Sequence, residues 1–218
     1  MIVTELSKGT KLYLLVGGKG TRLQSITNGI PKPLIDIHGK PFLSRVIESL
    51  SGFDITLVCS DSNVQYFKNF GYDILNEGEA GGTAGWMFRT QLPDSFYVMN
   101  GDTYFGGDIN VDRIAQTVFV SEETIEGDEG YIEGKNGIVE GFFEKNIRAK
   151  GTRQLVNIGI YKFYKQQLNL PIAGHTEPVS MEYEVLPYNH MTYQKIECEK
   201  FDVGTPERLE RFRKWFTP

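Results

Sequence analysis

Two cations and two carboxylates stand out for the company they keep. Arg22 closes the run Gly17-Gly18-Lys19-Gly20-Thr21, and Lys32 sits between Pro31 and Pro33. Asp102 follows Gly101, and Asp202 precedes Val203-Gly204-Thr205-Pro206. Glycines let a turn bring backbone N–H groups close to an anion with no Cβ in the way. A guanidinium offers phosphate oxygens a fixed fork of donors. Proline on both sides stiffens the backbone that carries the Lys32 ammonium. Together these groups suit a polyphosphate. Alone, Asp102 reads as an Asx-turn residue and Asp202 as support for a following helix N-terminus. As a pair they fit Mg2+, which takes one or two carboxylates and leaves its other positions to phosphates and water.

Two other phosphate loops do not fit. A dinucleotide fingerprint from Gly18 needs glycine at position 23, which is Leu23, and a P-loop needs Ser or Thr after its lysine, where Gly20 follows Lys19. Glu144-Lys145 ends the strand-like run GIVEGFFEK, and Asn157-Ile158-Gly159-Ile160-Tyr161 sets a polar side chain and a glycine inside another. Glycine inside a strand often marks close approach of a ligand or a second backbone. His38, His175 and His190 are isolated, so no nucleophile–histidine set is evident. Cys59 and Cys198 are the only cysteines. They read as buried free thiols, neither a disulfide framework nor a zinc site.

The elements that must position these groups follow from periodicity. Apolar runs at 12–16, 55–59, 72–75 and 96–100 predict strands. Helices are expected over 42–50, started by Pro41 and ended by Gly52, over 62–70, stopped by Gly71, and from an N-cap at Thr83 to about 91. Residues 34–37 read as extended. This alternation predicts a parallel sheet with helices on both faces, and ligands beyond the strand C-termini. Gly17–Arg22, Gly81–Thr83 and Asp102 all follow strands, consistent with a common rim. The second half is strand-rich at 117–121, 130–133, 137–144, 155–163 and 192–201, with a short helix at 180–186. Thr205-Pro206 opens a last helix whose stripe of Leu209, Phe212 and Phe216 reads as core packing.

With 218 residues the chain is expected to be one domain, 1–218. Its net charge of −5 argues against a nucleic-acid partner and gives no polybasic membrane footprint. Neither a signal-peptide core nor a membrane-length apolar run is apparent, so a cytoplasmic protein is expected.

The series Gly17 to Leu23 followed by Pro31-Lys32-Pro33 resembles G-G-x-G-T-R-L…P-K-P, the signature of sugar-1-phosphate nucleotidyltransferases. Gly82-Thr83-Ala84-Gly85, Gly101-Asp102, Glu144-Lys145, Asn157–Tyr161 and Asp202–Thr205 continue the family's order of motifs, so the resemblance runs from Leu12 to Thr205. The run TRLQSITNGIPKPLIDIHGKPFL is most similar to the heptose-1-phosphate guanylyltransferase branch, with mannose-1-phosphate guanylyltransferases close by. Gln24-Ser25, Trp86 and Asn146 depart from common family residues.

The resemblance implies an α/β, Rossmann-like three-layer α/β/α fold with a mixed, mostly parallel central sheet. Its N-terminal half would bind nucleotide and its C-terminal half sugar phosphate. Gly17, Gly18, Gly20, Thr21 and Arg22 would wrap the triphosphate, and Lys32 would lean on the α-phosphate. Gly82 and Thr83 would lie beside base and ribose. Asp102 and Asp202 would hold Mg2+. Gly130, Glu144 and Asn157 would bind the sugar, and Lys145 its phosphate. The implied reaction is attack of a sugar 1-phosphate on the α-phosphate of a nucleoside triphosphate, best matched by GTP and heptose 1-phosphate. The sequence leaves a homodimer open. A nucleotide-sugar-dependent glycosyltransferase on a similar sheet is the alternative, disfavoured because no Asp-x-Asp pair occurs. A non-catalytic nucleotide-sugar sensor is the other, disfavoured because it need not keep Arg22, Lys32, Asp102, Lys145 and Asp202.

Overall fold

A computed structural model describes residues 1–3, 9–18, 23–27, 29–78, 82–127, 129–144, 149–171 and 178–217. The chain forms two compact units. The first contains 1–79, 99–112 and 198–218; the second contains 80–98 and 113–197. Neither coincides with an N- or C-terminal half, because the chain leaves the first unit and returns to it twice.

In the first unit, Thr10–Leu15 pairs in parallel with Phe53–Cys59, which pairs in parallel with Asp73–Asn76. Leu12 faces Ile55 across the ladder and Leu14 faces Leu57, and all four are buried. Such continuous apolar burial is what a parallel strand requires. Ile2–Val3 pairs in parallel with Leu50–Ser51 and with Ile109–Asn110. That pairing draws residue 50 out of the helix expected over 42–50, which spans only Phe42–Glu48. Pro41 is its N-cap. The helix expected over 62–70 is three short pieces, Asp61–Asn63, Val64–Phe67 and Lys68–Phe70, the middle one α and the outer ones 3-10. It does end at Gly71, whose φ of +75° suits glycine. Residues expected as extended over 34–37 begin in a 3-10 turn, Lys32–Leu34, and only Asp36–Ile37 is strand.

Thr103–Gly106 pairs antiparallel with Glu199–Asp202. Over this ladder lies the last helix, Pro206–Trp215, with proline in its first turn and the Thr205 hydroxyl accepting from Arg208 N–H at 3.3 Å. Phe212 is fully buried, its ring centroid 5.2–5.5 Å from those of Phe42, Tyr104, Phe201 and Phe216. Leu209 and Phe212 are core, as the spacing predicts, while Phe216 is half-buried at the helix C-cap.

The second unit is a mixed sheet. Thr117–Thr124 pairs antiparallel with Arg153–Tyr164 and parallel with Thr192–Lys195. Tyr131–Lys135 and Ile138–Phe143 form a hairpin, and the former also pairs antiparallel with Arg153–Tyr164. Parallel pairing therefore prevails in the first unit alone, against the expectation of a mostly parallel sheet. The single strand expected over 192–201 is two, Thr192–Lys195 and Glu199–Asp202, and they belong to different units. Polar residues at 195, 197 and 199 carry the sequence alternation past the break, but Ile196 and Phe201, five positions apart and so of opposite parity, are both buried, and the inward face changes there. The expected helix from Thr83 to 91 is only a 3-10 turn, Gly85–Phe88. The helix expected over 180–186 is the π-turn Met181–Val185. No helix among the described residues is long and apolar enough to cross a membrane.

Because five aromatic neighbours close around Phe212, Phe212→Ala is expected to destabilise the fold by about 3–5 kcal/mol in a denaturant titration. A loss under about 1 kcal/mol would show that the last helix is not part of the core.

Candidate active site

In the first unit, Lys32 and the two aspartates meet. Lys32 Nζ donates to Asp102 Oδ2 at 2.8 Å and lies 3.6 Å from Asp202 Oδ1. Each side chain is brought there by local backbone chemistry. Pro31 precedes the 3-10 turn that carries Lys32, and the buried Pro33 anchors it. Gly101 donates its N–H to Leu15 O at 2.9 Å, and a Cβ on Gly101 would stand 2.7 Å from that oxygen. Only glycine lets the chain pass so close to the Thr10–Leu15 strand, and Asp102 emerges directly after it. Asp202 faces Thr103 across the antiparallel ladder, and Val203 N–H donates to Asp102 O at 3.2 Å. Asp102, just before one strand, and Asp202, at the end of its partner, are thereby neighbours although a hundred positions apart in sequence.

Asp202 is held further by Arg208, whose Nη1 donates to Oδ2 at 2.8 Å. Its Oδ1 is buried and accepts no hydrogen bond among the described residues. A Cβ on Gly204 would lie 2.7 Å from that same oxygen, so the glycine leaves the carboxylate its space. Two carboxylates that already address one cation, one of them with an open buried oxygen, fit a hard divalent ion. Among the described residues no group of three acidic, histidine or cysteine side chains is gathered to cage a metal. The pair suits Mg2+, which keeps positions for phosphate and water.

Gly17 and Gly18 follow the Thr10–Leu15 strand and differ in surroundings. A Cβ on Gly17 would lie 2.6 Å from Glu77 Oε1 and 3.1 Å from Cys59 Cα. At Gly18, by contrast, no atom of the described residues lies within 4 Å of where a Cβ would stand. Cys59 is fully buried, and burial first, then the charges of Glu77 and Asp61, raises its thiol pKa to about 11. Cys198, expected buried, is only half-buried. Lys19, Gly20, Thr21, Arg22, Gly81, Lys145, Asn146 and His175 lie outside the described residues.

The second unit gathers the other expected residues. Asn157 N–H donates to Gly130 O at 2.9 Å, and the Glu144 carboxylate occupies the space where a Gly130 Cβ would be. Asn157 Nδ2 donates to the Tyr161 hydroxyl at 2.8 Å, and its Oδ1 accepts from Gly159 N–H at 2.9 Å. Gly130, Glu144 and Asn157 thus form one polar corner. Gly82 has φ of +70° and lies against the Val179 backbone. Ala84 N–H donates to Val179 O at 2.9 Å, which fastens the turn. Thr83 does not cap a helix. Its hydroxyl donates to Glu182 Oε2 at 3.0 Å and accepts from Met181 N–H at 2.7 Å. Trp86 is fully buried and its indole N–H donates to Thr83 O at 3.1 Å.

Sequence reasoning missed Arg208 and Glu182. Arg208 sits one turn into the helix that follows Asp202, and its sequence context does not set it apart from Arg211 or Arg213. Glu182 lies in Ser180-Met181-Glu182-Tyr183-Glu184, where acidic residues after a serine are the one signal, that of a helix N-terminus.

Residues 12–123 match the MobA-like NTP transferase domain. The bifunctional protein GlmU of Methanocaldococcus jannaschii is 32% identical over 166 residues, covering 72% of this chain and 40% of that protein. The chain spans between 39% and 51% of the length of the first GlmU relatives it matches. The D-glycero-alpha-D-manno-heptose 1-phosphate guanylyltransferase of Campylobacter jejuni is 32% identical over 227 residues, covering 91% of this chain and 96% of that protein. The crystal structure of HddC from Yersinia pseudotuberculosis superposes with a TM-score of 0.73 at 26% identity, over 95% of this chain and 100% of that one. HddC is also known complexed with GMP-PN.

The folded Cys59 thiol keeps its proton to about pH 11, against 9.0 for an unperturbed one. The contribution of this group to stability is therefore complete below pH 9 and declines as pH rises toward 11. At pH 9, iodoacetamide is expected to modify Cys59 at least about tenfold more slowly in native protein than in urea, read by peptide mass spectrometry. Equal rates in both states would contradict the packing of Gly17 against Cys59.

Proposed function

The chain belongs to the MobA-like NTP transferases and, within them, to the sugar-1-phosphate nucleotidyltransferases, and from that membership we propose that it joins a sugar 1-phosphate to the nucleoside monophosphate part of a triphosphate. An oxygen of the sugar phosphate attacks the α-phosphorus. The bond from that phosphorus to the bridging oxygen breaks, and pyrophosphate leaves with the electron pair. GTP and a heptose 1-phosphate are the proposed substrates, supported by the activity named for the Campylobacter jejuni relative and by the GMP-PN complex of HddC. The three-layer Rossmann-like packing and a cytoplasmic setting are part of the same proposal.

The observation that carries the reading is the meeting of Lys32 with Asp102 and Asp202. The reaction brings two anions together and needs no covalent enzyme intermediate, so the protein's task is positioning and charge neutralisation. Two like unit charges about 4 Å apart repel by roughly 4 kcal/mol at an effective dielectric near 20. Lys32, Arg22 and Lys145 are the side chains proposed to offset that repulsion, at the α-phosphate, the departing pyrophosphate and the sugar phosphate. Asp102 and Asp202 would hold Mg2+, which when bound neutralises phosphate charge and orients the triphosphate. Gly18 would offer its N–H to the triphosphate. The polar corner of Gly130, Glu144 and Asn157 would take sugar hydroxyls, which a carboxylate and an amide can accept from and donate to.

A matrix of nucleoside triphosphates against sugar 1-phosphates, read by pyrophosphate release with Mg2+, tests this. GTP with D-glycero-D-manno-heptose 1-phosphate is expected to be the most productive pair. Binding with no pyrophosphate from any pair would favour a sensor. Lys32→Ala is expected to lower turnover at least about tenfold while circular dichroism is unchanged. Near-wild-type turnover in that variant would remove Lys32 from the mechanism.

A further inference from the structure

The hydroxyl of Thr83 is already committed within the protein. Its one proton goes to Glu182 Oε2 at 3.0 Å, and its oxygen takes the Met181 N–H at 2.7 Å. It has no proton left for a ligand. Glu182 stands in the opposite condition. Its Oε2 accepts from both Thr83 and Ser180 Oγ, each at 3.0 Å. Its Oε1 accepts no hydrogen bond among the described residues, although an ionised carboxylate has about four acceptor positions. Two donors on one oxygen fix the orientation of the whole group, and the half-exposed carboxylate keeps the other oxygen available.

The backbone beneath Glu182 points the same way. Met181–Val185 is a π-turn, a rare form that is frequent at functional sites. Ser180 steadies its entry, accepting from Tyr183 N–H at 3.2 Å through its side chain and donating its own N–H to Glu184 Oε2 at 2.8 Å. The charge of Glu182 also reaches the polar corner, at Tyr161. The buried Tyr161 hydroxyl is held protonated by burial first and then by the negative charge of Glu182, with Glu144 adding to it and the Asn157 hydrogen bond opposing. Glu182 and Glu144 therefore act on the same hydroxyl, within one unit.

A carboxylate oxygen of this kind attracts O–H donors and repels phosphate. We propose that Glu182 is a specificity-determining residue whose Oε1 accepts a hydrogen bond from a sugar hydroxyl of the substrates. The assignment rests on the transferase reading. The shared chemistry has two sources, the ribose of the triphosphate and the sugar of the 1-phosphate. Thr83, in this view, is the fastener that orients Glu182.

Glu182→Gln tests it, since the amide still accepts from Thr83 and Ser180 through one oxygen but turns a donor toward the ligand. With the productive pair from the pyrophosphate matrix, KM for one substrate is expected to rise roughly tenfold, with kcat changed far less. A rise for the triphosphate, lost when the 2′,3′-dideoxy triphosphate is compared between wild type and variant, assigns the ribose. A rise for the sugar 1-phosphate assigns the acceptor sugar. The melting temperature of the variant is expected to match wild type. Thr83→Val serves as the second variant, expected to raise the same KM by a smaller factor because it removes only the fastener. Unchanged KM for both substrates in Glu182→Gln, or a loss of kcat tracking a fall in melting temperature, overturns the assignment while leaving the transferase intact. Absence of pyrophosphate from wild type with every pair overturns the transferase reading and Glu182's role with it.

Discussion

One ammonium group set against two carboxylates is the constraint on which the first unit depends. The ladder brings Asp102 and Asp202 to the same point, and Lys32 stands between them, 2.8 Å from one and 3.6 Å from the other. Arg208 adds a second positive charge on Asp202, so the cluster of two acids and two bases is balanced by itself. Balance matters most at Lys32, which is 11% exposed, while Asp102, Asp202 and Arg208 keep 42%, 35% and 39% of their side chains in solvent. Partly buried charges of one sign left alone are costly, and paired ones are tolerated. The local devices around the cluster all serve this geometry. Prolines flank Lys32, Gly101 lets Asp102 pass beside a strand, and the ladder from Thr103–Gly106 to Glu199–Asp202 delivers the last carboxylate. The aromatic packing of Phe212 in turn holds the helix that supplies Arg208 against that ladder.

The glycines of the motifs divide into two kinds. Gly17, Gly82 and Gly130 are glycine because the protein's own atoms fill the space of a side chain: the Glu77 carboxylate, the Val179 backbone and the Glu144 carboxylate. At Gly18 no atom of the described residues lies within 4 Å of where a Cβ would stand. The difference bears on how a binding corner is built. Glu144 over Gly130, and Thr83 tied to Glu182, are side chains placed before any ligand arrives. Such prior placement lowers the ordering cost of binding.

Asp102, Asp202 and Lys32 are candidates by residue chemistry, and Gly130, Glu144 and Asn157 by the family resemblance; the structure places each of them in one of two clusters. The strands at Thr10–Leu15, Phe53–Cys59 and Ser95–Asn100 were legible in the sequence, because buried apolar runs have few other fates. Helix 83–91 failed because the Thr83 hydroxyl finds a carboxylate and an N–H a hundred residues away, which no local pattern records. Strand 192–201 failed because the residue types alternate as far as Glu199, although the first strand has already ended at Lys195 and a second begins.

The sequence alone determined which groups are present and in what order: the phosphate-type glycine turn, the pinned lysine, the two strand-end aspartates and the family they resemble. Those are properties of short segments, fixed by side-chain chemistry and local backbone preference. The tertiary structure decided which of them meet, that Arg208 completes the Asp202 pair, and that the Thr83 hydroxyl is bonded to Glu182 and Met181. Hydrogen bonds and ion pairs are satisfied by whatever the fold brings within about 3 Å, and that distance in space has no counterpart in sequence separation.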